Sequence, residues 1–304
     1  MDISRRSLFH LLAAGATMTA FPAAVRAQEK PLTRPIPSTG EPIPAVGLGS
    51  WITFNVGDDA AARRSCAEVM AAFFRAGGRL IDSSPMYGSS QAVIGQGLHE
   101  LGMPPALFSA EKVWIGSGRS GPEQIEETRR RWSVSRFDLL QVHNLRAWEE
   151  HLPTLFAMKA EGRLRYVGIT TSEGRRHADM EKIMRGQPID FVQLTYNPLD
   201  REVEERLLPL ARDRGIAVIV NRPFRQGALL HALERTPLPG WAAAIGCRSR
   251  AQAVLKFIVS HPAVTCAIPA TTRVDHVVEN LDAARQPLPD EDLRRRIADD
   301  AGKA

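Results

Sequence analysis

Short apolar runs and longer amphipathic stretches alternate with regularity along this chain. The apolar runs end near Gly49, Asp82, Lys112, His143, Thr170, Gln193, Val220 and Pro269, and their length reads as β-strand. Helical patterns follow them, for example over 122–133, 148–160, 173–185, 201–213 and 249–260. Eight strand–helix units predict an α/β fold, a (β/α)8 TIM barrel. The returns Glu161-Gly162-Arg163-Leu164 and Asp213-Arg214-Gly215-Ile216 place glycine just past a helix end, where a left-handed cap is needed. Ahead of the units, two extended pieces around Ser38-Thr39-Gly40-Glu41 predict a β-hairpin that caps the bottom of the barrel. A long Pro/Gly-rich segment, 221–246, follows the seventh strand, and a last helix is expected around 290–299. No linker, repeat or charge block divides the segment 28–304, which reads as one domain.

Residues 1–27 have a different character. Ser4-Arg5-Arg6-Ser7-Leu8-Phe9 precedes an uncharged stretch from Leu11 to Val25 and then Val25-Arg26-Ala27, the pattern of a twin-arginine export signal cleaved after Ala27. The stretch is short, rich in Ala and Thr and interrupted by Pro22, a poor membrane span, so no stable insertion is expected after processing. The expected partner is the twin-arginine export machinery, and the expected location is the bacterial periplasm.

Charge and cysteines narrow the classes further. Of 39 Lys and Arg and 34 Asp and Glu, the leader holds three cations and one anion, which leaves 36 against 33, a net +3. That balance is too small and scattered for a nucleic-acid partner. Cys66, Cys247 and Cys266 share no metal-ligand spacing and are expected to be free thiols. His99, His151, His177, His231 and His261 lack paired ligand spacing, so no metal is expected.

Candidate chemistry gathers at the strand ends. Asp82, Lys112 and His143 close G-G-R-L-I-D (77–82), A-L-F-S-A-E-K-V (106–113) and F-D-L-L-Q-V-H-N (137–144), and Tyr87 lies in the loop S-S-P-M-Y-G (83–88). In a parallel barrel, C-terminal strand ends form the face where active sites are built. An unperturbed phenol titrates near pH ~10 and needs neighbours to act as an acid near neutrality. A lysine favours its phenolate, a carboxylate keeps that lysine charged, and a histidine shares the phenol's proton or binds the carbonyl being reduced. Taken singly, a strand-end Asp, Lys or His is an ordinary surface or capping residue; the joint spacing of the four is what carries the catalytic reading. Gly116-Ser117-Gly118-Arg119-Ser120-Gly121 fits G-x-G-x-x-G, but Pro122 opens the next helix and the segment reads as a βα loop.

With these residues in place, the chain resembles the aldo-keto reductase family over about 32–299. The matching pieces are G-L-G-S-W (47–51), I-D-S-S-P-M-Y-G (81–88), E-K-V (111–113), D-L-L-Q-V-H-N (138–144), G-R-L-R-Y-V-G-I-T (162–170), V-Q-L-T-Y-N-P-L (192–199) and I-P-A-T-T-R-V-D-H-V-V-E-N-L (268–281). The resemblance implies a reductase moving hydride from NADP(H), with NAD(H) not excluded, to a small carbonyl substrate. Tyr87 would be the general acid, Lys112 and Asp82 its tuning pair, and His143 the group that orients the carbonyl. It further implies Asn144, Thr170 and Gln193 beside the nicotinamide, Ser50 and Trp51 at the pocket with Trp51 as a substrate wall, and Glu279 and Asn280 at the adenine. The chain departs from the family at several positions. Asn221 stands where an aromatic stacker is common, so the stacker is either absent or replaced by Phe224, and Thr171 stands where an asparagine is common. Ala270 replaces a basic residue and His276 a frequent arginine, so Thr271 and Arg273 are the candidates for a 2′-phosphate. The competing expectation is a nicotinamide-nucleotide-binding sensor or interaction protein on the same barrel with little turnover.

Overall fold

A computed structural model describes residues 31–234 and 237–303; the expected leader, 1–27, lies outside the described residues. Strand β1 (Thr33–Pro35) pairs antiparallel with β2 (Pro42–Pro44), Arg34 standing opposite Ile43. Gly40, with φ +76°, supplies the left-handed residue of the turn, and its N–H donates to Ile36 O at 2.7 Å. This is the predicted hairpin. Its Ile36 and Ile43 side chains are fully buried in the floor of the barrel.

The barrel wall is β3 (Leu48–Gly49), β4 (Leu80–Asp82), β5 (Phe108–Val113), β6 (Phe137–Val142), β7 (Leu164–Thr170), β8 (Phe191–Thr195), β9 (Ala217–Asn221) and β10 (Cys266–Ala267). All neighbours are parallel and follow chain order. The ring closes through bridges Val46↔Ala267 and Gly49↔Ala270. Ala267 N donates to Ala45 O at 2.9 Å, and Gly47 N and Gly49 N donate to Ala267 O at 2.8 Å and Pro269 O at 3.0 Å. Closure at this approach requires glycine, since a Cβ on Gly49 would lie 2.7 Å from Ile268 O.

Outside the wall lie α1 (Ala60–Arg75), α2 (Ser90–Glu100), α3 (Gly121–Trp132), α4 (Trp148–Ala160), α5 (His177–Gly186), α6 (Leu207–Asp213), α7 (Ala228–Leu233), α8 (Trp241–Ala244), α9 (Arg250–Val259), α10 (Val274–Asp282) and α11 (Glu291–Gly302). The predicted TIM barrel is therefore the observed architecture. Two predicted helices are shorter than their patterns. Helix α5 begins at His177, because Glu173, Gly174 and Arg176 take left-handed backbone at φ +61°, +66° and +57°. The pattern over 201–213 divides into a short 3-10 turn, Glu202–Glu204, and α6. Pro209 falls in the first turn of α6, where its missing N–H costs no intrahelical bond.

Alternation along the strands sorts residues into two cores. On β6, Leu139 faces the barrel interior, while Leu140 and Val142 pack outward under the helices. Phe108, Tyr166 and Phe191 fill the interior with centroids 5.5 to 6.1 Å apart, and each buried ring contributes roughly 1.5–3 kcal/mol by burial. Because side chains repeat with period two, the next inward position on each strand is two residues nearer the C-terminal rim. There the chain turns polar: Asp82 follows Leu80, Lys112 follows Ala110, Gln141 and His143 follow Leu139, Gln193 follows Phe191, and Asn221 follows Ile219.

Candidate active site

Asp82 lies at the floor of the site with Lys112 buried against it. Lys112 Nζ donates to Asp82 Oδ2 at 2.5 Å and to Ser83 O at 2.7 Å, with both side chains almost fully buried. Asp82 Oδ1 accepts from Gln193 Nε2 at 2.8 Å and Gln141 Nε2 at 3.3 Å. Burial works against the Lys112 charge, but Asp82, Tyr87 and Glu111 outweigh it and raise the lysine above its ordinary value. Glu111, on the outward side of β5, is pushed up to about 7 by burial against the pull of Lys112. Its carboxyl accepts from Gln91 Nε2, Trp132 Nε1 and the Lys112 N–H at 3.0, 2.9 and 2.8 Å.

Tyr87 stands above this pair on the loop between β4 and α2. The loop is held to the β3–α1 loop by Asn55, whose Oδ1 accepts from Ser89 N at 3.0 Å and Ser89 Oγ at 3.2 Å. Ser89 Oγ in turn accepts from Gly57 N at 2.8 Å. Lys112 Nζ sits 5.1 Å from the Tyr87 ring centroid. The sequence expectation that Lys112 lowers the phenol holds in direction, but it is not the largest effect. Burial pushes Tyr87 up to about 12; Lys112 pulls down, while Asp82 and Glu111 push up. The phenol is therefore held protonated, the form that can donate.

His143 completes the wall. Its ring meets Tyr87 edge-on with centroids 5.8 Å apart, and Nδ1 lies 2.7 Å from Ser84 Oγ. Burial, aided by Lys112, pushes the imidazole down to about 2, so it is neutral near pH 7. Next to it, Asn144 has left-handed backbone at φ 53°, and its N–H donates to Thr170 Oγ1 at 3.1 Å. Arg176 fastens this turn by donating to Asn144 O and Leu145 O, both at 3.1 Å. The Asn144 side-chain amide makes no bond to another described residue and lines the cavity.

These groups open onto a cavity of about 1000 Å³ at the C-terminal rim. Ser50, Trp51, Asp82, Tyr87, His143, Asn144, Thr170 and Gln193 line it. Asn221, Phe224, Thr271, His276, Glu279 and Asn280 line it as well. Two predicted site residues do not. Lys112 is not exposed to the cavity and reaches it only through Asp82 and Tyr87. The Arg273 guanidinium donates to Asp275 from Nε at 3.0 Å and from Nη2 at 2.5 Å, on the exposed surface outside the cavity wall. Arg250 does line the cavity, and its guanidinium has no partner among the described residues. Asn221 is committed to the protein, with Nδ2 donating to Thr171 O at 2.9 Å and Oδ1 accepting from Thr195 Oγ1 at 2.7 Å.

Sequence reasoning missed Ser84, Gln141, Asn55, Ile52 and Met86. Gln141 was within reach, since it lies two residues before His143 on the same inward face. Ile52 and Met86 are exposed apolar side chains on the cavity rim beside Trp51 and Tyr87. Trp114 and Trp241 lie outside the cavity wall, and Trp241 Nε1 donates to Asp300 at 2.9 Å. All three cysteines are free and buried.

Comparison with known proteins bears on this geometry. The sequence pattern of the Aldo/keto reductase family matches residues 45–297. The chain is 29% identical over 248 residues to the methylglyoxal reductase YeaE of Escherichia coli (strain K12), covering 78% of this chain and 84% of that protein. It is 27% identical over 260 residues to an NADH-specific methylglyoxal reductase of the same organism, covering 74% and 77%. Among solved structures, an aldo/keto reductase from Klebsiella pneumoniae in complex with NADP and acetate superposes with a TM-score of 0.71 at 25% identity, covering 85% of this chain and 93% of that one.

Proposed function

Because the chain belongs to the aldo/keto reductase family, we propose that it reduces an aldehyde or ketone with Tyr87 as the general acid. The observation that carries this reading is the buried Asp82–Lys112 pair set beneath a protonated Tyr87, with neutral His143 beside it on one cavity wall. A nicotinamide-dependent oxidoreductase needs a cavity that holds a dinucleotide next to that phenol, and the residues present fit one. The unpaired Asn144 amide lies beside His143, with the Thr170 and Gln193 side chains adjoining. Elsewhere on the cavity wall the free Arg250 guanidinium suits a phosphate oxygen, and Glu279 and Asn280 suit an adenine edge. The NADP bound to the Klebsiella protein supports NADP(H), and the NADH-specific relative from Escherichia coli supports NAD(H) as the other possibility.

When bound, the reduced nicotinamide supplies the hydride to the carbonyl carbon. The protein's own part is the oxygen. Tyr87 O–H transfers its proton there as negative charge develops, Lys112 stabilises the phenolate left behind, and Asp82 keeps the ammonium aimed upward through its 2.5 Å contact. Asn55 keeps the two loops together so that Trp51, Ile52 and Met86 form the rim around the substrate. The same site permits alcohol oxidation, with the phenolate accepting the proton. The methylglyoxal reductases among the relatives make a small carbonyl compound the first substrate to try.

Tyr87→Phe tests the reading. A general acid is worth roughly 10²–10⁴ in rate, so turnover of an aldehyde should collapse while nucleotide binding, read by quenching of protein fluorescence, persists. Turnover within a few-fold of the parent would remove Tyr87 as the acid. The same proposal includes export through the twin-arginine route, resting on Arg5-Arg6 and the uncharged stretch that follows. A mature periplasmic protein beginning at Gln28, found by N-terminal mass analysis, is the expected result.

A further inference from the structure

Neutral His143 carries one N–H and one lone pair, and which nitrogen holds the proton decides what the ring can do. Its environment limits the choice. Nδ1 lies 2.7 Å from Ser84 Oγ, and Ser84 is fully buried. The only other partner of that hydroxyl among the described residues is the Met86 N–H, which donates to it at 3.2 Å.

If Nδ1 carried the proton, Ser84 Oγ would accept from both Met86 N and His143 Nδ1, and its own hydrogen would be buried with no acceptor. That arrangement is costly, because a buried donor without a partner loses its hydration and regains nothing. If Nδ1 is bare, every group is satisfied in one direction. Met86 N–H donates to Ser84 Oγ, Ser84 O–H donates to His143 Nδ1, and the imidazole proton sits on Nε2. Nε2 makes no bond to a described residue, and His143 lines the cavity beside Tyr87.

We propose that Ser84 is a positioning residue that fixes His143 as the Nε2–H tautomer, which makes the ring a hydrogen-bond donor toward the carbonyl oxygen rather than an acceptor of the Tyr87 proton. The proposal deepens the reductase reading and rests on it for the carbonyl. A carbonyl oxygen at the site then receives two donors, the Tyr87 hydroxyl and His143 Nε2–H, so its orientation is set before the proton moves. The relay starts from a backbone N–H on the same loop as Tyr87, so the conformation that places the phenol also sets the tautomer.

Long-range ¹⁵N–¹H correlation spectra of histidine-labelled protein, with His143 assigned from a His143→Gln sample, test this directly near neutral pH. The expected spectrum has a bare Nδ1 and a protonated Nε2 in a single tautomer; a protonated Nδ1 would overturn the proposal. In Ser84→Ala the signature should become mixed, with kcat for an aldehyde about tenfold lower and nucleotide affinity unchanged, as expected when a donor is only partly lost. Ser84→Thr, which keeps the hydroxyl, should restore the single tautomer. A pure Nε2–H signature and parental kcat in Ser84→Ala would also overturn it. The wild-type spectrum decides the tautomer even where a variant folds poorly. An active Tyr87→Phe protein would remove the general acid while leaving this signature in place, so the two ideas fail separately.

Discussion

Lys112→Met separates two jobs done by one side chain. The ammonium stands 5.1 Å from the Tyr87 ring centroid and 2.5 Å from Asp82 Oδ2. At an effective dielectric near 20, a unit charge about 5 Å from a developing phenolate contributes about 3 kcal/mol, equivalent to about 2 pKa units. Expressed fully in the transition state, its loss lowers kcat by about 10²-fold. The second job is structural. Without the lysine, Asp82 keeps only the Gln193 and Gln141 amides at 2.8 and 3.3 Å, and a buried charge stripped of its partner costs roughly 3–5 kcal/mol of stability. The double variant Asp82→Asn with Lys112→Met removes both charges and should recover most of that stability while kcat stays low. Saturating turnover, followed by nicotinamide absorbance, and urea unfolding of the three proteins are the measurements. A single variant within threefold of parental kcat, or a double variant that regains activity, would refute the electrostatic reasoning.

Ile52 is β-branched, 60% exposed and in the left-handed region at φ 64°, a conformation costing roughly 1–2 kcal/mol. Ile52→Asn should raise the unfolding temperature while raising KM for an aryl aldehyde more than for methylglyoxal, because the rim loses an apolar side chain. Tyr87 at about 12 and His143 at about 2 both titrate outside pH 5–9, so a pH profile of kcat/KM should show no limb from either group there. Glu111 behaves differently: raised to about 7 from 4.5, it holds a proton in the folded state that the unfolded chain releases. Its stabilising contribution is complete below about pH 4.5 and is lost as pH rises through about 7, up to about 3 kcal/mol. Glu111→Gln should flatten the pH dependence of unfolding free energy across that interval.

The strand ends were legible because a barrel wall has a strict period of two and its interior turns from apolar to polar at one level. Leu80 to Asp82 and Leu139 to His143 show that change in the sequence itself. The loops were less legible. Nothing in Ser83-Ser84-Pro85-Met86 announces that one hydroxyl meets an imidazole 59 positions away. The left-handed backbone at Asn144, Glu173 and Arg176 is imposed by tertiary contacts on residues that do not demand it. The sign of the net shift on Tyr87 was hidden for a related reason, since burial is a property of the assembled rim while the Lys112 charge is visible in the sequence. The pairing of Arg273 with Asp275, two residues on, was open to the sequence and was not foreseen.

The closure between β3 and β10 is the narrowest join in the wall, carried by the two bridges and three backbone bonds already described. Gly49 and Ser50 on one margin and Ile268, Ala270 and Thr271 on the other line the same cavity. A ligand seated there touches both margins and acts as a noncovalent staple across the seam. Its binding free energy therefore opposes the opening of the barrel at the place where the early and late parts of the chain meet.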